Sequence, residues 1–108
     1  MHKLYVIQIR WASKPLNPTT IEQVLNTLGD WVRFSESCWV IWTARNAYDV
    51  QYAIMSKLQN DDSLFVAAMA PEGPQGWAPG WFWDWIHDKM HQQLIAESSG
   101  DGTSTIPD

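Results

Sequence analysis

The chain has 108 residues, 45% of them apolar and 18% charged, with a formal net charge of −5. That length holds one domain, and the mixture excludes a disordered or collagenous chain. The charge is uneven, with six Lys/Arg and four Asp/Glu in residues 1–60 against one and eight in residues 61–108, which excludes a general phosphate-backbone binder and leaves room only for a local basic patch.

The longest apolar run, Leu64 to Ala70, is too short to cross a bilayer, which needs about 20 residues. The apolar start Leu4-Tyr5-Val6-Ile7 is too short for a secretory signal, so a soluble, cytoplasmic chain is expected. The single Cys38 excludes an internal disulfide framework and a cysteine-based zinc knuckle.

In chain order, residues 4–11 read as a strand with Tyr5, Ile7, Ile9 and Trp11 on one face. A loop with Pro15 and Pro18 follows. A helix then starts at Asn17-Pro18 or, two residues on, at the capping box Thr19-Thr20-Ile21-Glu22. Its apolar stripe is Ile21, Val24, Leu25 and Leu28, and Gly29 is the expected stop. A hairpin pairs Trp31-Val32-Arg33-Phe34 with Cys38–Thr43. A second helix runs from Asn46 to Leu58, with Ala47, Val50, Ile54 and Leu58 inward. Leu64–Ala70 is expected to be a buried strand, apolar on both faces.

The order strand, helix, strand, strand, helix, strand predicts an α+β, ferredoxin-like βαββαβ sandwich over residues 1–70, its first and third strands adjacent in the middle. Residues 71–97 form a Pro/Gly/Trp-rich connector and a C-terminal helix of the same domain, with Phe82, Ile86 and Met90 in one stripe and Trp85 beside it. The small, polar residues 98–108 read as a disordered tail.

Eight tryptophans and a sheet apolar on both faces leave more apolar surface than two helices can cover. Trp39 and Ile41 stand on one face of the third strand, and Val40 and Trp42 on the other. Either the C-terminal segment or a second copy must cover the second face, so a homodimer is expected. Trp39, Val40, Trp42, Phe65, Trp77 and Trp81 are its candidate interface residues. The acidic half, with Glu72, Asp84, Asp88 and Glu97, suits a basic protein partner.

Three stretches resemble the small subunit of the CRISPR spacer-acquisition complex and its stand-alone relatives. They are Leu4-Tyr5-Val6-Ile7-Gln8-Ile9, the middle stretch from Leu28 to Ile41, and Asp61-Asp62-Ser63-Leu64-Phe65-Val66-Ala67; the Trp-rich link into Trp83-Asp84-Trp85-Ile86 adds to the likeness. The resemblance spans roughly residues 4–90 and implies a dimeric ferredoxin-like protein in a prokaryotic or phage defence or mobile-element setting. Members of that family proposed as nucleases carry an Asp at the end of the first strand to share a divalent cation. Here that position reads Gln8-Ile9-Arg10-Trp11, so no catalytic residue is carried over.

Two other constellations are present. With that strand order the first and third strands are expected to run parallel, so that Arg10, Lys14 and Arg45 share one edge with Trp11 and Trp42, a pattern that grips phosphates and stacks bases. Asp84, His87, Asp88 and His91 follow at i, i+3, i+4 and i+7, with the H-x-x-x-H spacing of a metal clasp; the reading taken is the solvated helix face opposite Phe82, Ile86 and Met90, with no metal site. Cys38 reads as a buried or interface thiol. No phosphate loop, dinucleotide fingerprint or serine elbow is present. The reading is therefore a non-catalytic homodimeric interaction module without a cofactor. The alternative is a metal-dependent nuclease or nucleic-acid-binding protein.

Overall fold

The computed structural model describes residues 1–13, 17–70 and 74–105, and side chains as far as residue 96. The chain folds as β1 (Lys3–Arg10), α1 (Pro18–Leu25), β2 (Gly29–Ser35), β3 (Cys38–Thr43), α2 (Ala47–Met55), β4 (Ser63–Ala68) and α3 (Gly80–Thr105). The four strands form one antiparallel sheet in the order β2-β3-β1-β4.

The helix starts follow local chemistry. Asn17 caps α1 by accepting the Thr19 N–H, with Pro18 in the first turn. Asn46 caps α2 by accepting the Asp49 N–H. α2 ends at Met55, before the expected Leu58, because the next amides bond three residues back: Lys57 N–H to Ile54 O and Leu58 N–H to Met55 O. The β2–β3 turn falls at Glu36 and Ser37, after a bulge between Arg33 and Ser35.

The strand alternation sorts side chains into two cores. On one face Tyr5, Ile7 and Ile9 of β1 and Trp39 and Ile41 of β3 pack against Ile21 and Leu25 of α1 and Val50 and Ile54 of α2. On the other face Leu4, Val32 and Val40 pack against Phe82 and Ile86 of α3. Two helices thus cover one face and α3 the other, the layering expected of a sheet with two apolar faces. A salt bridge from Lys89 Nζ to Asp30 Oδ2 at 2.9 Å holds α3 along β2, and the same ammonium lies 5.5 Å from the Trp85 ring centre.

Three sequence expectations need correction. β1 and β3 are adjacent but antiparallel, with Lys3 opposite Thr43 and Gln8 opposite Cys38. A hairpin between β2 and β3 reverses the chain, so the third strand opposes the first. β4 is not buried on both faces: it is an edge strand, paired only with β1, and Phe65 is 58% exposed. Trp39 is no interface residue; it is wholly buried between the sheet and the helices. α3 extends to Thr105, into the small, polar tail of residues 98–108. Residues 106–108 of that tail lie outside the described residues.

Glu22 is the polar hinge of the first core. It is buried on α1, and its carboxylate accepts Arg33 Nε at 2.5 Å, Arg33 Nη2 at 2.9 Å and Trp39 Nε1 at 2.9 Å. The Arg33 guanidinium holds the Glu22 carboxyl below the usual carboxylate range, assisted by the Trp39 indole and opposed by burial. A buried acid with all three partners in place ties α1 to β2 and β3. The Asp62 carboxylate similarly accepts the Ala12 and Gln59 N–H groups, each at 2.9 Å, and joins the loop after β1 to the turn before β4.

Two measurements check this account. Glu22→Leu leaves the buried Trp39 N–H without an acceptor and is expected to cost about 1–3 kcal/mol in urea unfolding. Because the folded Glu22 titrates below its unfolded value, its stabilisation is complete above the ordinary carboxylate range and fades as pH falls through the lowered value; Glu22→Leu removes that part of the acid transition. At Gly29 a Cβ would meet the Trp42 carbonyl oxygen at 2.2 Å. Gly29→Ala should therefore destabilise by about 1–3 kcal/mol in the same measurement.

Candidate functional site

α3 covers the second sheet face unevenly. It runs along β2, with Phe82 against Phe34 (ring centres 5.3 Å apart) and Lys89 bound to Asp30. Beside it, over β3, β1 and the end of β2, lies an apolar groove of about 200 Å³. Val6, Cys38 and Val40 form the sheet part of its lining, Phe34 and Met69 stand at its sides, and the segment 74–78 with Phe82 and Trp83 completes it. Along the same face of β1, two residues beyond Val6, Gln8 begins a second depression bounded by Arg10 and Phe65. The uncovered strip thus runs from the groove to β4.

The aromatic groups at this surface are exposed: Trp77 by 99%, Phe65 and Trp81 by 58% each, and Phe34 by 52%. Trp81 and Trp83 both pack edge-on to Phe82, at centroid distances of 6.1 and 5.5 Å. Helix entry is set by Pro79, whose carbonyl accepts the Phe82 N–H at 3.0 Å and the Trp83 N–H at 3.4 Å, directing Phe82 at the sheet and Trp81 outward.

The remaining candidate interface residues are divided. Val40 is buried beneath α3, at the floor of the groove. Trp42 is half-buried on the second face, stacked on His2 at 5.4 Å and packed against the α3 cluster. Phe65, Trp77 and Trp81 are the three that stand at the surface.

The basic constellation does not assemble. Arg10 ends β1 beside Ser63 of β4, whereas Arg45 follows β3 at the end where Thr43 pairs with Lys3. Antiparallel pairing puts them at opposite ends of the sheet. Trp11 packs against the helix-side core and Trp42 lies on the other face. Trp11 Nε1 is buried with no hydrogen-bond acceptor among the described residues. Lys14 lies outside the described residues, as does Glu72; the side chain of Glu97 is likewise outside them.

On α3, Asp84, His87, Asp88 and His91 are exposed. His87 stacks on Trp83 at 5.9 Å, and Asp88 accepts the Gln92 amide at 2.9 Å. Among the described residues no three His, Cys, Asp or Glu side chains converge to hold a metal ion. Among the same residues no helix is long and apolar enough to cross a membrane.

The groove presents an apolar contact surface. Cys38, the one nucleophilic side chain in the groove, is half-buried, and burial pushes its thiol above the ordinary range. Sequence reasoning missed Val6, Phe34 and Met69 as groove residues. The alternation of β1 puts Val6 on the second face, but the course of the segment 74–78 across that face has no sequence signal. Compared with protein-family models, curated proteins and solved structures, the chain matches none.

Alkylation of Cys38 by iodoacetamide near neutral pH is expected to run about tenfold or more slower in the folded chain than in urea, since both thiolate fraction and access are reduced. Equal rates would contradict the placement of Cys38 in the groove.

Proposed function

We propose that the chain is a non-catalytic, homodimeric protein-interaction module of ferredoxin-like architecture. The strand order β2-β3-β1-β4, with α1 and α2 on one face, supports that architecture. The observation that carries the functional reading is the apolar strip left beside α3, with Phe34, Phe65, Trp77 and Trp81 exposed around it. Contiguous apolar patches of this kind are partner surfaces, and aromatic side chains are the common anchors of protein interfaces. The acidic C-terminal half, with Asp84 and Asp88 exposed on α3, suits a further basic protein partner. The likeness of residues 4–90 to the small subunit of the CRISPR spacer-acquisition complex suggests a prokaryotic or phage defence or mobile-element setting.

The alternative, a metal-dependent nuclease or nucleic-acid binder of that type, has less support. It needs paired carboxylates or a cationic track, while the strand end carries Arg10 and the cations Arg10 and Arg45 stand far apart.

Sedimentation across a range of concentrations tests the reading. The expected mass is twice the 12.4 kDa of the chain. A single chain mass at every concentration would contradict the homodimer. Magnesium- or manganese-dependent cutting of RNA or DNA, lost on one carboxylate substitution, would overturn the non-catalytic reading.

A further inference from the structure

The two edges of the sheet are built differently. β2 carries the charged residues Asp30 and Arg33 and a bulge between Arg33 and Ser35. These are the usual devices by which an edge strand avoids pairing with another chain. β4, Ser63-Leu64-Phe65-Val66-Ala67-Ala68, has no charge, no proline and an unbroken register against β1.

The hydrogen-bond phase of β4 follows from one bond. Met69 N–H donates to Leu4 O at 3.0 Å. With the β1–β4 register, the alternation of antiparallel pairing assigns the backbone groups of Ser63, Phe65 and Ala67 to β1 and leaves those of Leu64, Val66 and Ala68 pointing away from the sheet. Apolar side chains flank this open edge in both layers. On the helix side Met55, 51% exposed, lies with Leu58 and Leu64 in the cleft between α2 and β4. On the opposite side stands Phe65, 58% exposed.

We propose that two copies of the chain join through the outer edges of their β4 strands, antiparallel about Val66, into one continuous eight-stranded sheet. The inference rests on the homodimer reading above and names its surface. The strand is self-complementary about that residue. Val66 pairs with its own copy, each Leu64 faces the Ala68 of the other chain, and each Phe65 faces the other Ala67, so the two largest side chains each meet an alanine. About six backbone hydrogen bonds form from the outward groups of Leu64, Val66 and Ala68. No charge is brought opposite its like. The two-fold axis also brings the Met55 flanks of both α2 helices toward each other and both Phe65 rings beneath the seam.

Two substitutions at exposed positions test the surface. Ala68→Pro removes an outward N–H that β1 does not use and places a ring in the seam. Phe65→Lys puts a charge where edge strands ordinarily carry one. Each variant is compared with the unaltered chain by sedimentation, with circular dichroism melts reporting whether the fold survives. The expected result is a dimer for the unaltered chain and, for both folded variants, dimerisation weakened by about a hundredfold or more. A dimer indifferent to both substitutions overturns the β4 seam and leaves the homodimer reading standing. A chain that is monomeric before any substitution overturns both.

Discussion

A sheet that is apolar on both faces cannot be finished by helices on one. β3 sets this constraint: Trp39 and Ile41 point to α1 and α2, while Val40 and Trp42 point the other way. Every larger feature follows from the need to cover that second face. α3 supplies most of the cover through Phe82 and Ile86, and the Lys89–Asp30 ion pair fixes it over β2. A single helix is about 10 Å wide, and four strands about 4.8 Å apart span more than that. The part left open lies beside β1 and β4.

The polar contacts are few and placed at the joints between layers. Glu22 binds Arg33 and Trp39, so one carboxylate connects α1 with the two strands farthest from β4. Asp62 ties the turn before β4 to the loop after β1. Such groups add direction to packing that is otherwise non-directional. They hold the sheet and its helices in register, and the apolar strip stays outside this polar network.

Much of this was legible because local signals and tertiary packing agree. The stripes Ile21/Leu25 and Val50/Ile54 are buried as their spacing requires, and Phe82/Ile86 do the same on α3. Asn17-Pro18 marked one helix start correctly. What was not legible depended on topology. The run Leu64–Ala70 has the composition of a central strand, and that composition misled on its burial even though an order with β1 and β3 in the middle already makes it an edge. Trp39 and Trp77 are the same residue type, yet one is wholly buried and the other 99% exposed, because one is held in β3 and the other in a connector. The supposed basic edge failed on strand direction: Arg10 and Arg45 lie together only if β1 and β3 are parallel. Glu22 looked like a capping-box acid, and its partners Arg33 and Trp39 stand on other elements.

The functional account therefore reduces to incomplete cover. One copy hides its helix-side core fully and its second face in part, and it leaves β4 both unguarded and bordered by Met55 and Phe65. Amide hydrogen exchange along β4 at high and low protein concentration measures this directly. The account predicts that the amides of Phe65 and Ala67 stay protected at both concentrations, while those of Leu64, Val66 and Ala68 are protected only at the high one. Uniformly fast exchange at Leu64, Val66 and Ala68, unaffected by concentration, would contradict it.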